Sequence, residues 1–152
     1  MDSKPTHEQA QLHLQVYDLR REEKLRKARD WFQQNYKADT LEEALKLMAP
    51  GSESQKNSGM VLGYWEQACA LLNYGLLHEG LFFETSGEFF GIWEQLKKTL
   101  PDFREKFGDK YILSNMEQAA QRYEAWAEQR NPGSIAKMRD FMKQERAQGA
   151  GK

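Results

Sequence analysis

The side chains whose types and spacing could do chemistry are Tyr64, Glu66, His78, Glu84 and Glu88. Carboxylates on helices can hold a proton, a cationic ligand or a metal when apolar neighbours strip away water. Glu66 shares a helical face with Leu62 and with Cys69 or Ala70, so it is the carboxylate expected to be half-buried. Glu84 and Glu88 lie one turn apart, beside an apolar stripe. A lone carboxylate in a core is expensive, so each needs an arginine, a tyrosine or a proton. One reading is therefore a small-molecule or metal-dependent pocket between helices, lined by these five residues.

The metal version lacks its motifs. Carboxylate-bridged metal pairs in bundles use Glu-x-x-His, which does not occur here. His78 precedes Glu79, but position 82 is Phe, so the zinc-protease pattern is missing. His7 and His13 are six apart on a helical stretch and point in different directions. Cys69 sits in an apolar stripe with no catalytic partner in view and reads as a packing thiol. There is no serine in a nucleophile elbow and no glycine-rich loop between strand and helix. No catalytic residue, metal or cofactor is assigned, and the residues favour a non-enzymatic role over an enzymatic one.

The elements that position these residues are helices. Around Leu76–Lys98, Leu81, Phe82, Thr85, Phe89, Ile92, Trp93 and Leu96 recur at steps of three and four, the period of a helix with one buried face. Phe83 and Phe90 widen that stripe. Continuity is expected through Gly80, Gly87 and Gly91, because the apolar period keeps its phase; a break at Thr85–Gly87 is the competing reading. Gly87 and Gly91 open one side of the rod to a close helix approach. Met60–Asn73 precedes it, with Val61, Trp65, Ala68 and Leu72 as its inward stripe. Gly75 offers a left-handed helix end, from which Leu76 folds back. The short turn predicts that these two helices form the firmest, antiparallel pair in the protein.

Thr6 to Asn35 is free of Gly and Pro. Two registers can be read there: Leu12, Val16 and Leu19, or Leu14, Tyr17, Leu25, Ala28 and Phe32. One long helix or two helices bent near Asp18–Glu22 both fit. Its charges favour surface pairs Glu22–Arg26 and Glu23–Lys27. Thr40 with Glu43, and Ser114 with Glu117, have capping-box spacing. Gly51–Gly59 (GSESQKNSG) has the composition of a loop. Pro101 suits the first turn of a helix carrying Phe103 and Phe107, which Gly108 ends. Ser134 is expected to cap a last helix facing inward through Ile135, Met138, Phe141 and Met142. The fold expected is all-α: one domain over 6–147, an irregular bundle of about six or seven helices around a central helix 76–98. Residues 1–5 and 148–152 are expected to be flexible.

Composition bounds the partners. In 152 residues, 22 basic and 23 acidic side chains leave a formal net charge of -1, so nucleic-acid binding is not expected. The longest uncharged helical run, Gln67–Leu77, falls well short of the ~20 residues that cross a bilayer. Met1–Gln11 is polar, with no apolar signal core. A cytoplasmic protein is expected, and the single cysteine fits a reducing compartment. The aromatic content, 8 Phe, 6 Tyr and 4 Trp, exceeds what one helix face can cover. Full coverage of these rings by outer helices is the favoured reading; where part of the face stays open, Phe83 and Phe90, two turns apart, are the interface candidates for a protein partner or a second copy, making a homodimer. The reading is thus an interaction or scaffold domain that self-associates, with the Glu/His pocket as the alternative.

The order GYWEQACALLNYGLLHEGLFF, then FFGIWEQLKKTLPDFREKF, then YEAW resembles a family of short all-helical bacterial domains of unknown function. The match runs over Gly63–Trp126 and involves Tyr64, Trp65, Glu66, Gly75, Trp93, Arg104 and Tyr123. Trp65 stands where that family's pattern more often has a tyrosine. The resemblance implies a helical fold in a cytosolic or membrane-peripheral bacterial protein, and supplies no activity, substrate or cofactor. It also suggests Glu66 and Arg104 as a buried structural pair.

Overall fold

The computed structural model describes residues 3–150. Among them the chain is helical throughout, with nine helices where six or seven are expected from the sequence. They are α1 (His7–Arg20), α2 (Glu23–Asn35), α3 (Leu41–Leu47), α4 (Glu53–Asn73), α5 (Glu79–Thr85), α6 (Glu88–Leu96), α7 (Leu100–Phe107), α8 (Ser114–Arg130) and α9 (Ser134–Ala150). No strand occurs among the described residues, and no described helix is long and apolar enough to cross a membrane. Of the ends expected to be flexible, 1–2 and 151–152 lie outside the described residues; Ser3–Pro5 carries no helix, whereas α9 includes Gln148–Ala150.

Both registers read in the first thirty residues are used, because the chain bends between them. In α1, Leu12 and Val16 pack against the core, while Leu14, Tyr17 and Leu19 are exposed. After the bend at Arg21–Glu22, α2 buries Leu25, Ala28 and Phe32. Glu23 pairs with Lys27 at 3.0 Å. Glu22 does not pair with Arg26 as expected. Its carboxylate accepts from the Leu25 amide at 3.0 Å and caps α2, and the hydrogen bonds from the Lys24 amide first and the Leu25 amide second hold its pKa below the ordinary carboxylate range.

The central helix 76–98 is corrected to two helices. Ser86 leaves helical geometry (φ -129°, ψ 33°), and α6 restarts at Gly87 with no side-chain cap. Residues seven apart face the same way whether or not the helix is broken, so the apolar phase carries no sign of the break. Gly87 is small for a reason other than helix approach: a Cβ there would sit 3.1 Å from the Tyr123 hydroxyl, while Gly91 faces open space.

The pairing expectation is also corrected. The Gly75 turn does form: Gly75 takes φ 78°, its amide donates to the Leu72 carbonyl, and the Leu76 amide donates to the Leu71 carbonyl. It turns the chain away, however, and α4 lies chiefly along α2 and α8, with α6 against α8. What α4 shares with α5 and α6 is a set of rings. Trp65 meets Phe82 edge-on at 6.5 Å and Phe89 at 6.3 Å, and Tyr123 of α8 closes on Phe83, Phe89 and Phe90 at 4.8–5.5 Å. Such pairs add to the burial of the rings themselves.

The stretch expected as a mobile loop, Gly51–Gly59, is mostly the first turns of α4. Ser52 caps it by accepting from the Gln55 amide at 3.1 Å, and Ser58 is fully buried. Ser54, Gln55, Asn57 and Ser58 are half-buried or buried there, so the packed face of these first turns is itself polar. Thr40 caps α3 as expected, and Pro101 lies in the first turn of α7, which Gly108 ends at φ 67°. Phe107 and Phe141, expected to face inward, are exposed.

The last helix is held by a carboxylate in the apolar run of α6. Glu94, 6% exposed, accepts from Arg139 of α9 at 2.6 Å and from Lys97 at 2.7 Å. Burial alone would push its pKa up; the hydrogen bonds from Arg139 and Lys97 outweigh burial and hold it below the ordinary 4.5. A carboxyl depressed by folding stabilises the fold above its unfolded pKa and loses that contribution as pH falls through the folded value. Glu94→Gln is therefore expected to lower stability at pH 7 and to flatten its decline below about pH 4.5, measured by urea unfolding across pH; an unchanged acid arm would contradict the pairing.

Candidate functional site

The five expected pocket residues do not share a pocket. Tyr64 donates its hydroxyl proton to the Val16 carbonyl at 2.6 Å, tying α4 to α1. Burial pushes its pKa up to about 12, against the pull of Arg20 and Arg29. His78 is the N-cap of α5: its Nδ1 accepts from the Leu81 amide at 3.1 Å, so Nε2 carries the proton it donates to the Ser3 carbonyl. Glu84 is exposed, 3.8 Å from Arg130. Glu88 reaches back to α2, where Arg29 donates to it through Nε at 3.1 Å and Nη2 at 2.8 Å. Among the described residues, no group of three or more His, Cys, Asp or Glu is gathered as a metal site would need.

Phe83 and Phe90, the interface candidates, are 2% and 0% exposed. Both are covered from within by Tyr123, and Phe83 by Trp126 as well. The physical reason is the break at Ser86–Gly87, which lets two short helices present rings to α8 from both sides. Cys69 is fully buried, and burial drives its pKa upward, away from nucleophilic use.

Glu66 has a different role from any expected. Its Oε1 accepts from the backbone amides of Asn115 at 2.6 Å and Met116 at 3.3 Å, the first turn of α8. A carboxylate carried by another helix thus does the work of an N-cap, and it faces the positive end of the α8 dipole. Ser114 does not cap α8 as expected. The residue at that position is Leu113, held at φ 56° in the left-handed region. A non-glycine residue there is strained, and the surrounding contacts must hold it. Burial raises the Glu66 pKa, opposed by the hydrogen bonds of Asn115 and Met116.

Arg104 is not the partner of Glu66; it holds the loop beside it. Its Nε and Nη2 donate to the Ile112 carbonyl at 2.9 and 2.7 Å, and Nη1 lies 3.3 Å from Glu117. Asn73, ending α4, donates to the Asn115 side chain at 2.9 Å and accepts from Arg122 at 2.6 Å. Arg122 also holds Glu79 of α5 at 2.8 Å. Sequence reasoning missed Asn73, Leu113, Asn115 and Arg122, since no local pattern marks them. Glu66, surrounded by apolar residues, was the one signal pointing here.

Tyr74 and Leu76, just after α4, and Phe107 and Tyr111, between the end of α7 and the start of α8, are 83, 51, 56 and 67% exposed, and the Asn73–Asn115 hydrogen bond brings these two segments to one end of the bundle. Tyr74 and Leu76 follow Asn73; Tyr111 starts the turn whose carbonyl receives the Ser114 amide at 3.0 Å. Chemically, the site offers rings and a leucine over a braced backbone.

Glu66→Ala leaves two α8 amides without their acceptor and is expected to cost about 1–2 kcal/mol. Glu66→Gln keeps a carbonyl acceptor and is expected to cost less than half of that. Urea midpoints of the two variants decide it; equal losses would contradict the capping role.

No curated protein and no solved structure matches the chain. One family does, over residues 5–123, which takes in every helix from α1 to α7 and more than half of α8. The match overlaps the resemblance read over Gly63–Trp126 and agrees with its being to a family of unknown function. The chain belongs to the family described as Domain of unknown function (DUF4760).

Proposed function

We propose that this domain is a non-enzymatic interaction module that self-associates through the end of the bundle carrying Tyr74, Leu76, Phe107 and Tyr111. The observation that carries the reading is the coincidence of exposed rings with a braced backbone. Tyrosines give large contact area at small entropic cost, and they are over-represented among residues that dominate binding energy. The bracing by Glu66, Arg104, Asn73 and Arg122 reduces what ordering the surface costs on association. A second copy is the occupant favoured by charge: at a formal net charge of -1, two copies meet with little long-range repulsion. Among the described residues, the cleft under α1 measures about 10 Å³, against the several hundred Å³ that ligand pockets occupy, and the hollow of about 560 Å³ beside Asp18, Leu19 and Arg26 is a surface depression open to solvent.

Sedimentation equilibrium tests this. The wild-type chain is expected above its monomer mass at tens of micromolar, and Tyr74→Glu with Tyr111→Glu is expected to weaken association at least about tenfold without loss of helicity. Phe83→Glu, by contrast, buries a charge and is expected to unfold the chain. A wild-type chain that stays monomeric, or a double variant that associates unchanged, would refute the reading.

A further inference from the structure

The bend between α1 and α2 rests on one dihedral angle. No glycine or proline lies between Thr6 and Asn35, and Arg21 is still in the right-handed helical region. Glu22 has a helical φ of -57°, and only its ψ, 140°, departs from the helix. A turn of about 180° about that bond makes α1 and α2 one rod from His7 to Asn35. At the bend the amides of Lys24 and Leu25 donate to the Glu22 carboxylate. In a rod the carbonyls of Arg20 and Arg21 receive them instead. The bend is thus held by the Glu22 cap and by the seat of α1, not by residues unable to continue a helix.

That seat is shallow. α1 buries no residue fully, and Leu12 and Val16 pack only partly against the core. The Val16 carbonyl accepts from Tyr64 at 2.6 Å, and His13 Nε2 lies 3.2 Å from the Thr85 hydroxyl. Arg20 is 4.0 Å from Glu88, which Arg29 already engages. None of these contacts requires α1 to belong to the same chain. An α1 offered by the rod of a second copy makes all of them, so an exchange changes only the elbow.

The elbow itself suits a second copy. Asp18, Leu19, Arg21, Glu22, Glu23 and Arg26 line the open hollow there, and Leu19 is 61% exposed. Where two rods run antiparallel past each other about Glu22, Asp18 of each comes opposite Arg26 of the other, and Arg21 opposite Glu23. Opposite charges meet at each of these crossings, which favours a copy over an unrelated surface. We propose that α1 is an exchangeable arm: two copies of this chain straighten at Glu22, trade α1 helices, and form a dimer in which each α1 sits on α4 and α5 of the other. This contact is separate from the Tyr74–Tyr111 end.

Glu23→Pro separates the bent form from the rod. Glu23 opens α2, where a proline's missing amide costs nothing, and Glu22 before it already has the extended ψ that proline favours. Inside a continuous rod the same proline breaks the helix. Glu22→Ala acts the other way, removing the cap and favouring the rod. Exchange requires α1 to come off, so the full chain is refolded from urea at millimolar and at micromolar concentration. It carries Tyr74→Glu and Tyr111→Glu, which silences the other contact. After dilution, size exclusion is expected to show a dimer persisting for hours only in the chain refolded at millimolar concentration. None is expected with Glu23→Pro, and at least about fivefold more with Glu22→Ala. Absence of a persistent dimer overturns the proposal, as does one that survives in Glu23→Pro. Should the proline variant not fold, a dimer fraction left unchanged by Glu22→Ala overturns it instead.

Discussion

The first turn of α8 cannot close its own backbone, and the rest of the molecule is arranged around that deficit. The residue before it is Leu113, in the left-handed region, with no side chain that could accept from the exposed amides. Glu66 supplies the acceptor from the middle of α4. Two long helices are thereby locked in register at a point, and packing extends from it along their length. Met116, Ala119 and Ala120 of α8 are buried, as are Trp65, Ala68 and Cys69 of α4. Small residues on α8 let the helices approach closely, and the rings of α5 and α6 fill the space that remains.

Charges repeat this logic elsewhere. Glu88 joins α6 to α2 through Arg29, Glu94 joins α6 to α9 through Arg139, and Arg122 joins α8 to α5 and to the end of α4. Each links helices distant in sequence; the Glu88 and Glu94 pairs are partly sheltered, whereas Arg122–Glu79 is exposed. Such pairs contribute modestly to net stability, because desolvation opposes the attraction. Removing one partner is costly all the same, which ties each helix to a single position.

What was legible in the sequence follows from period and punctuation. The stripes of α2 and α4, the caps at Thr40 and Gly75, the proline entry to α7 and its glycine exit are local signals, and each is present. The break at Ser86–Gly87 was legible only as the competing reading at Thr85–Gly87, because the apolar period keeps its phase across it and argued for continuity. Gly51–Gly59 misled because the first turns of α4 pack through serine, glutamine and asparagine and so show no apolar stripe. At the site, Glu66 stood out for being a carboxylate among apolar neighbours, but its acceptors lie about fifty residues on, at Asn115 and Met116. No spacing rule connects them. Coverage of Phe83 and Phe90 from within was the favoured reading, but the side chains that cover them, Tyr123 and Trp126, come from α8, and no local pattern names them.

Amide hydrogen exchange at Asn115 and Met116 reads the α4–α8 lock most directly. First-turn amides of a helix ordinarily exchange fast, having no partner within the helix. With the Glu66 carboxylate on them, both are predicted to exchange as slowly as amides in the interior of α8. Exchange at the rate of an open helix end would contradict the account.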